Sequence, residues 1–140
     1  MATTQPDATG VQAEALQRLL DGRYADLRRR IREVLAQPEF APPIAMPTAE
    51  YRELVRGWMQ SIADEGLTAP GFPAEFGGQN DPGANIAGFE EIALGDLSLL
   101  VKFGVQFGLW GGAVQQLGTR IHHERYLRPS ASLELAGASR

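Results

Sequence analysis

The stretch LLVKFGVQFGLWGGAVQQLG, Leu99 to Gly118, decides what kind of molecule this chain is. It has helical length, and it is apolar on nearly every side, which marks a helix buried all round by other elements. A membrane span is the competing reading, because Gly104, Gly108 and Gly112 recur every four residues as in membrane packing motifs. Lys102, Gln106, Gln115 and Gln116 interrupt the run, and its clean part falls short of the roughly 20 residues that a span needs. The stretch is therefore read as the central helix of a helical domain, with no membrane span. Its glycines let another backbone or a ligand come close. Packing against a neighbouring helix is one use of that space, and a bound molecule on one side is the other. Trp110 reads first as core packing, since aromatic side chains usually supply core area.

Upstream, Gly95-Asp96 punctuates the chain, and Ser98 is the expected cap of this helix. Before it, Asp81-Pro82 is a cap-plus-first-turn signal for a helix through Ile86, Phe89 and Ile92. The connector TAPGFPAEFGGQNDPG holds three prolines and four glycines. Gly77-Gly78 within it predicts a positive φ or a close approach that a side chain would block. Tyr51, Leu54, Val55, Trp58, Met59 and Ile62 share one face of a helix that Thr48 caps and Gly66 ends. The first stripe, Leu16, Leu20, Tyr24, Leu27, Ile31 and Val34, predicts one helix up to Pro38, with Gly22 weakening the period without breaking it. The helices are expected near residues 11–37, 48–65, 82–95, 97–118 and 119–128.

Downstream lies GTRIHHERYL, which holds the only two histidines of the chain. Thr119 reads as the cap of a short helix. Neighbours on a helix point about 100° apart, so His122, His123 and Glu124 diverge and do not chelate one ion. Zinc helices place their histidines four apart with a glutamate between, unlike this stretch. After Pro129, ASLEL alternates apolar and polar residues, which predicts one orphan β-strand at the C-terminal end of an otherwise all-α chain.

The chain has 140 residues, the size of one domain or of a piece of a larger protein. Thirteen basic against seventeen acidic residues leave a net charge of −4, which argues against nucleic acid as a partner. The run Arg28-Arg29-Arg30 with Arg32 reads as a solvated helix face, and the pairs Asp64-Glu65 and Glu90-Glu91 as exposed helix charge. The absence of cysteine removes thiol chemistry and fits a reducing, cytoplasmic setting. Met1 to Gly10 is polar, has no apolar core, and reads as a disordered tail rather than a signal peptide.

Taken in order, these features resemble the N-terminal part of the acyl-CoA dehydrogenase/acyl-CoA oxidase superfamily, above all its oxidase-like bacterial members. The resemblance runs from about Leu16 to Leu135. It rests on DGRYADLRRRIREVL, on ADEGLTAPGFPAEFGGQNDPG with its Phe-Pro-x-x-Phe-Gly-Gly loop at Phe72–Gly78, on GDLSLLVKFGVQFGLWGGAVQQLGT, and on HHERYL followed by ASLEL.

That resemblance implies a flavoenzyme with a helical N-terminal domain, a β-barrel middle domain and a helical C-terminal domain. Such enzymes bind FAD and introduce a double bond between the α and β carbons of an acyl-CoA. A glutamate removes the α proton, the flavin takes the β hydride, and an oxidase passes the electrons to oxygen. Residues 11–129 would be the helical domain and 130–140 the start of the barrel. The flavin-contacting segment follows the Leu-Glu-Leu strand in the family, and the base lies further on, so neither is expected here. No catalytic, flavin-binding or metal-binding residue is assigned, and the chain alone is expected to be inactive and free of FAD. By position, Val105, Leu109 and Gly112, with Gln106 and Trp110 beside them, would form one wall of the acyl-chain site. The implied partners are an acyl-CoA substrate and either further copies of the chain or complementary middle and C-terminal domains. A stand-alone helical interaction module and a non-functional remnant are the alternatives.

Overall fold

The computed structural model describes residues 12–137, so the expected disordered tail over 1–10 lies outside the described residues, as does the end of the chain from 138. The helices are α1 (Ala13–Asp21), α2 (Ala25–Leu35), α3 (Thr48–Asp64), α4 (Pro82–Ile92), α5 (Leu97–Phe103), α6 (Gly111–Leu117) and α7 (Arg120–Ala131). Short 3-10 turns cover Gly22–Tyr24, Pro38–Phe40 and Ala74–Phe76. A π-helical segment, Gly104–Trp110, joins α5 to α6, so that Leu97–Leu117 is one continuous helix of 21 residues. Among the described residues there is no strand, and the all-α architecture holds.

The first expected helix is in fact two. Gly22 has φ +54°, a conformation that side chains with a Cβ disfavour, and the chain turns there. The stripe splits with it: Ile31 and Val34 are buried, whereas Leu16 and Leu20 are 45% and 67% exposed. Periodicity cannot register a change of direction made by one residue's φ. The break also brings the Tyr24 hydroxyl to Asp81, to which it donates at 2.8 Å.

The arginine run is not simply a solvated face. Arg28 and Arg32 on α2 converge on Glu91 of α4, whose side chain is 3% exposed. Arg28 donates to Glu91 Oε1 at 2.9 Å and also to Glu90; Arg32 donates to both Glu91 oxygens at 2.7 and 2.8 Å. Arg32 extends the chain of charges to Asp21, at the end of α1. A carboxylate taken out of water has to be paired, and α2 supplies two guanidinium groups. The expectation of exposed charge therefore fails for Glu91, Arg28 and Arg32. It holds for Arg29, which is 65% exposed beside Asp26 and Glu33. At the other carboxylate pair, Asp64 accepts from Gln60 and Glu65 pairs with Arg30 near the surface.

Most helix ends follow the sequence signals. Gly66, φ +70°, closes α3 with its N–H on the Ala63 carbonyl and the Leu67 N–H on the Ile62 carbonyl, a Schellman motif. Asp81 caps α4 by accepting from the Ala84 N–H at 3.0 Å, with Pro82 in the first turn. Thr119 caps α7. Two caps are displaced. Asp96, rather than Ser98, caps α5, accepting from the Ser98 and Leu99 N–H groups. Thr48 is the first residue of α3, not its cap.

The main core gathers Ile31, Val55, Trp58, Ile62, Ile92, Leu99, Phe103 and Phe107; a second cluster holds Ala69, Phe72, Phe76 and Leu127. The central helix buries only one face in them. Leu97, Val101, Leu109 and Leu117 on its remaining surface are 71%, 54%, 67% and 85% exposed, so the expectation of a helix buried all round is corrected. Its length and composition suffice to cross a membrane, contrary to the reading of the run as too short. Its Gln106 is held in a hydrogen-bonded clamp, and one face packs against Phe72 and the rest of the core.

The expected strand over ASLEL does not form. α7 continues through Pro129 to Ala131, and Leu133 then reverses the chain with φ +61°. A strand needs a neighbour for its N–H and C=O groups, and other partners take them here. The Leu133 N–H bonds the Ser130 carbonyl, the Leu135 N–H bonds the Pro129 carbonyl, and the Leu135 carbonyl accepts from Gln106 at 2.7 Å.

Candidate functional site

The Phe72–Gly78 loop is built on two backbone requirements. Gly77 has φ +95°. A Cβ on Gly78 would lie 2.0 Å from the Phe72 carbonyl oxygen, so backbone meets backbone there. Both sequence expectations for this pair hold, one at each residue. The loop presents the Phe72 ring to the central helix at Gly111, where a Cβ would come within 2.3 Å of Phe72 Cζ. Gly111 sits beside the glycine row seen in the sequence. Within that row, the ring of Phe89 covers Gly104 and Gly108 at 3.3–3.4 Å from their Cβ positions, and nothing stands within 4 Å of a Cβ on Gly112.

The five residues expected along one wall fall into two groups. Gln106 and Trp110 turn toward the segment after α7. The Gln106 amide donates to the Leu135 carbonyl and accepts from the Gly137 N–H, each at 2.7 Å. Trp110 Nε1 donates to Ser130 Oγ at 3.0 Å, and its ring meets Tyr126 edge-on. Val105, Leu109 and Gly112 lie on the more open side: Leu109 is exposed, and Val105 and Gly112 are half-buried. They follow one another at four and three residues, the first step lying within the π-helical segment.

Val105 and Gln106 also border a cleft of about 320 Å³ between α3, the central helix and residues 133–137. Its floor holds Val55, Met59 and Leu133, and its edge carries Arg52, Arg56, Lys102 and Glu134. The α3 part was missed from sequence. Arg52 and Arg56 are one helical turn apart, but only the packing of α3 on the central helix brings Lys102 beside them.

His122, His123 and Glu124 go separate ways. His122 closes a capping box with Thr119, its Nδ1 lying 2.8 Å from the threonine Oγ1. His123 meets the Phe76 ring edge-on, and its Nε2 is buried without a hydrogen-bond partner. Glu124 pairs with Arg120 at 2.7 Å. Among the described residues no group of three His, Asp or Glu side chains is placed to hold a metal ion.

The family model described as acyl-CoA dehydrogenase, N-terminal domain, matches residues 23–134. The chain is 30% identical over 129 residues to acyl-coenzyme A oxidase 2, peroxisomal, of Arabidopsis thaliana, an alignment that covers 91% of this chain and 18% of that protein. Acyl-coenzyme A oxidase 3, peroxisomal, of the same plant is 38% identical over 52 residues, 37% of this chain and 8% of that protein. The chain thus spans less than a fifth of the length of these curated relatives. No solved structure matches it.

Proposed function

Since the chain belongs to the acyl-CoA dehydrogenase/oxidase superfamily, as its N-terminal domain, we propose that it supplies one wall of the acyl-chain site of an FAD-dependent enzyme that desaturates acyl-CoA thioesters at the α,β position. The observation that carries the reading is the open side of the central helix, where Leu109 is 67% exposed and Gly112 has free space around its Cβ position. An apolar row left open within the family-matched region is suited to an alkyl chain and to a covering domain alike. Flavin binding and proton abstraction belong, in this reading, to parts that the longer relatives have outside the matched region. The cleft beside α3 is small for a flavin: it has about 320 Å³, the low end of the range for small-molecule sites, and no helix N-terminus lines it to receive a pyrophosphate. The residues of this chain would exclude water and position the alkyl chain.

The test joins residues 1–140 to the middle and C-terminal parts of a related oxidase and compares Leu109→Phe with the parent on short and long acyl-CoAs. Filling the space of a methylene or two is expected to cost about 1–3 kcal/mol of discrimination, so kcat/KM should fall selectively on the long substrate. Equal losses on both would remove Leu109 from the wall.

A further inference from the structure

The cleft beside α3 has chemistry of its own. The chain carries a net charge of −4, yet Arg52, Arg56 and Lys102 face Glu134 alone across this opening, three cations to one carboxylate. Among the described residues Arg52 and Lys102 form no ion pair, and Arg56 has only Glu53, at 3.8 Å and exposed. Like charges one helical turn apart repel, and Lys102 adds a third from the facing helix. An anion would relieve all three. Beneath them the surface is apolar: Val55 and Met59 are buried at 3% and 7% exposure, and Leu133 packs on the same core. Its polar exception, Gln106, already has its amide engaged by Leu135 and Gly137. No aromatic ring lines the cleft, so nothing stacks on a nucleobase.

We propose that this cleft binds a fatty carboxylate of medium chain length, its head group between Arg52, Arg56 and Lys102 and its tail along Met59, Val105 and Leu133. Guanidinium forks suit a carboxylate, with Lys102 adding a point charge. The flexible thioether of Met59 lets the floor adapt to an alkyl chain. The site takes a free acid, needs no flavin, and draws its head-group contacts from residues outside the proposed acyl-chain wall, so it goes beyond that reading. Only Val105 and Gln106 are shared.

The experiment titrates the 140-residue chain, by calorimetry and by thermal unfolding, with decanoate, 1-decanol and inorganic phosphate. Decanoate is expected to saturate one site and raise Tm, with decanol and phosphate each at least tenfold weaker. Arg52→Gln combined with Lys102→Gln should weaken decanoate binding about tenfold or more, the scale of one charge-assisted hydrogen bond. Both residues are exposed, so the Tm of the free protein should not fall. Decanol binding as tightly as decanoate, phosphate doing so, absence of saturation, or a double variant that binds like the parent would each overturn the proposal. The Leu109 comparison in the joined enzyme is unaffected by any of these outcomes.

Discussion

The buried ring of Phe72 occupies the space that a side chain on Gly111 would need, with its Cζ 2.3 Å from the Cβ position. This contact ties the glycine-rich loop to the central helix. It explains why a helix that gains stability from alanine elsewhere keeps a glycine here.

Gly111→Ala and Gly112→Ala should therefore act in opposite directions. The first pushes a methyl group into a ring that is 3% exposed and cannot yield outward; overpacking of this kind costs about 1–3 kcal/mol. The second meets open space and should gain about 0.5–1 kcal/mol of helix propensity. Urea unfolding of the two variants gives the comparison, and equal shifts would remove the Phe72 contact as the cause.

Acid stability should depend on the Glu91 cluster. Burial raises the Glu91 pKa, but hydrogen bonds from Arg32 and Arg28 outweigh it and leave the carboxyl below its ordinary value of 4.5. The Arg32 hydrogen bond holds Asp21 at about 2, overcoming its own partial burial. Groups depressed in the folded state stabilise it above their unfolded pKa and lose that contribution as the pH falls. Stability should thus decline as the pH drops from about 4.5 toward 2. Glu91→Gln removes the charge that Arg28 and Arg32 share, though Arg28 keeps Glu90 and Arg32 keeps Asp21. It should cost about 1–3 kcal/mol at neutral pH and reduce the acid decline, which thermal melts across that range would measure.

Gln106→Leu tests the clamp on the segment after α7. The buried amide is replaced by a side chain of similar size, and the Leu135 carbonyl and Gly137 N–H lose their partner. The expected cost is about 1–3 kcal/mol, with faster hydrogen exchange at the Gly137 amide and little change in the core of α3. Unchanged exchange at Gly137 would show that the segment is held by other contacts.

What is settled within a turn or two of chain can be read from neighbouring residues. The stripe of α3, the Gly66 and Asp81-Pro82 signals, the Thr119 cap and the strain relief at Gly77 depend on neighbouring residues, and each was legible. The tertiary structure decided the rest. Glu91 finds Arg28 and Arg32 at separations of 63 and 59 residues, and no local pattern separates a carboxylate in such a cluster from one in water. The alternation of ASLEL is a real strand signal that fails because its backbone groups meet Gln106 and the end of α7 rather than another strand. Gly111 is one glycine among sixteen until the Phe72 ring is packed on it, and the cleft exists only where α3 meets the central helix. Local conformation is encoded by the nearest side chains, while burial, charge pairing and the shape of a site arise from groups that only folding brings together.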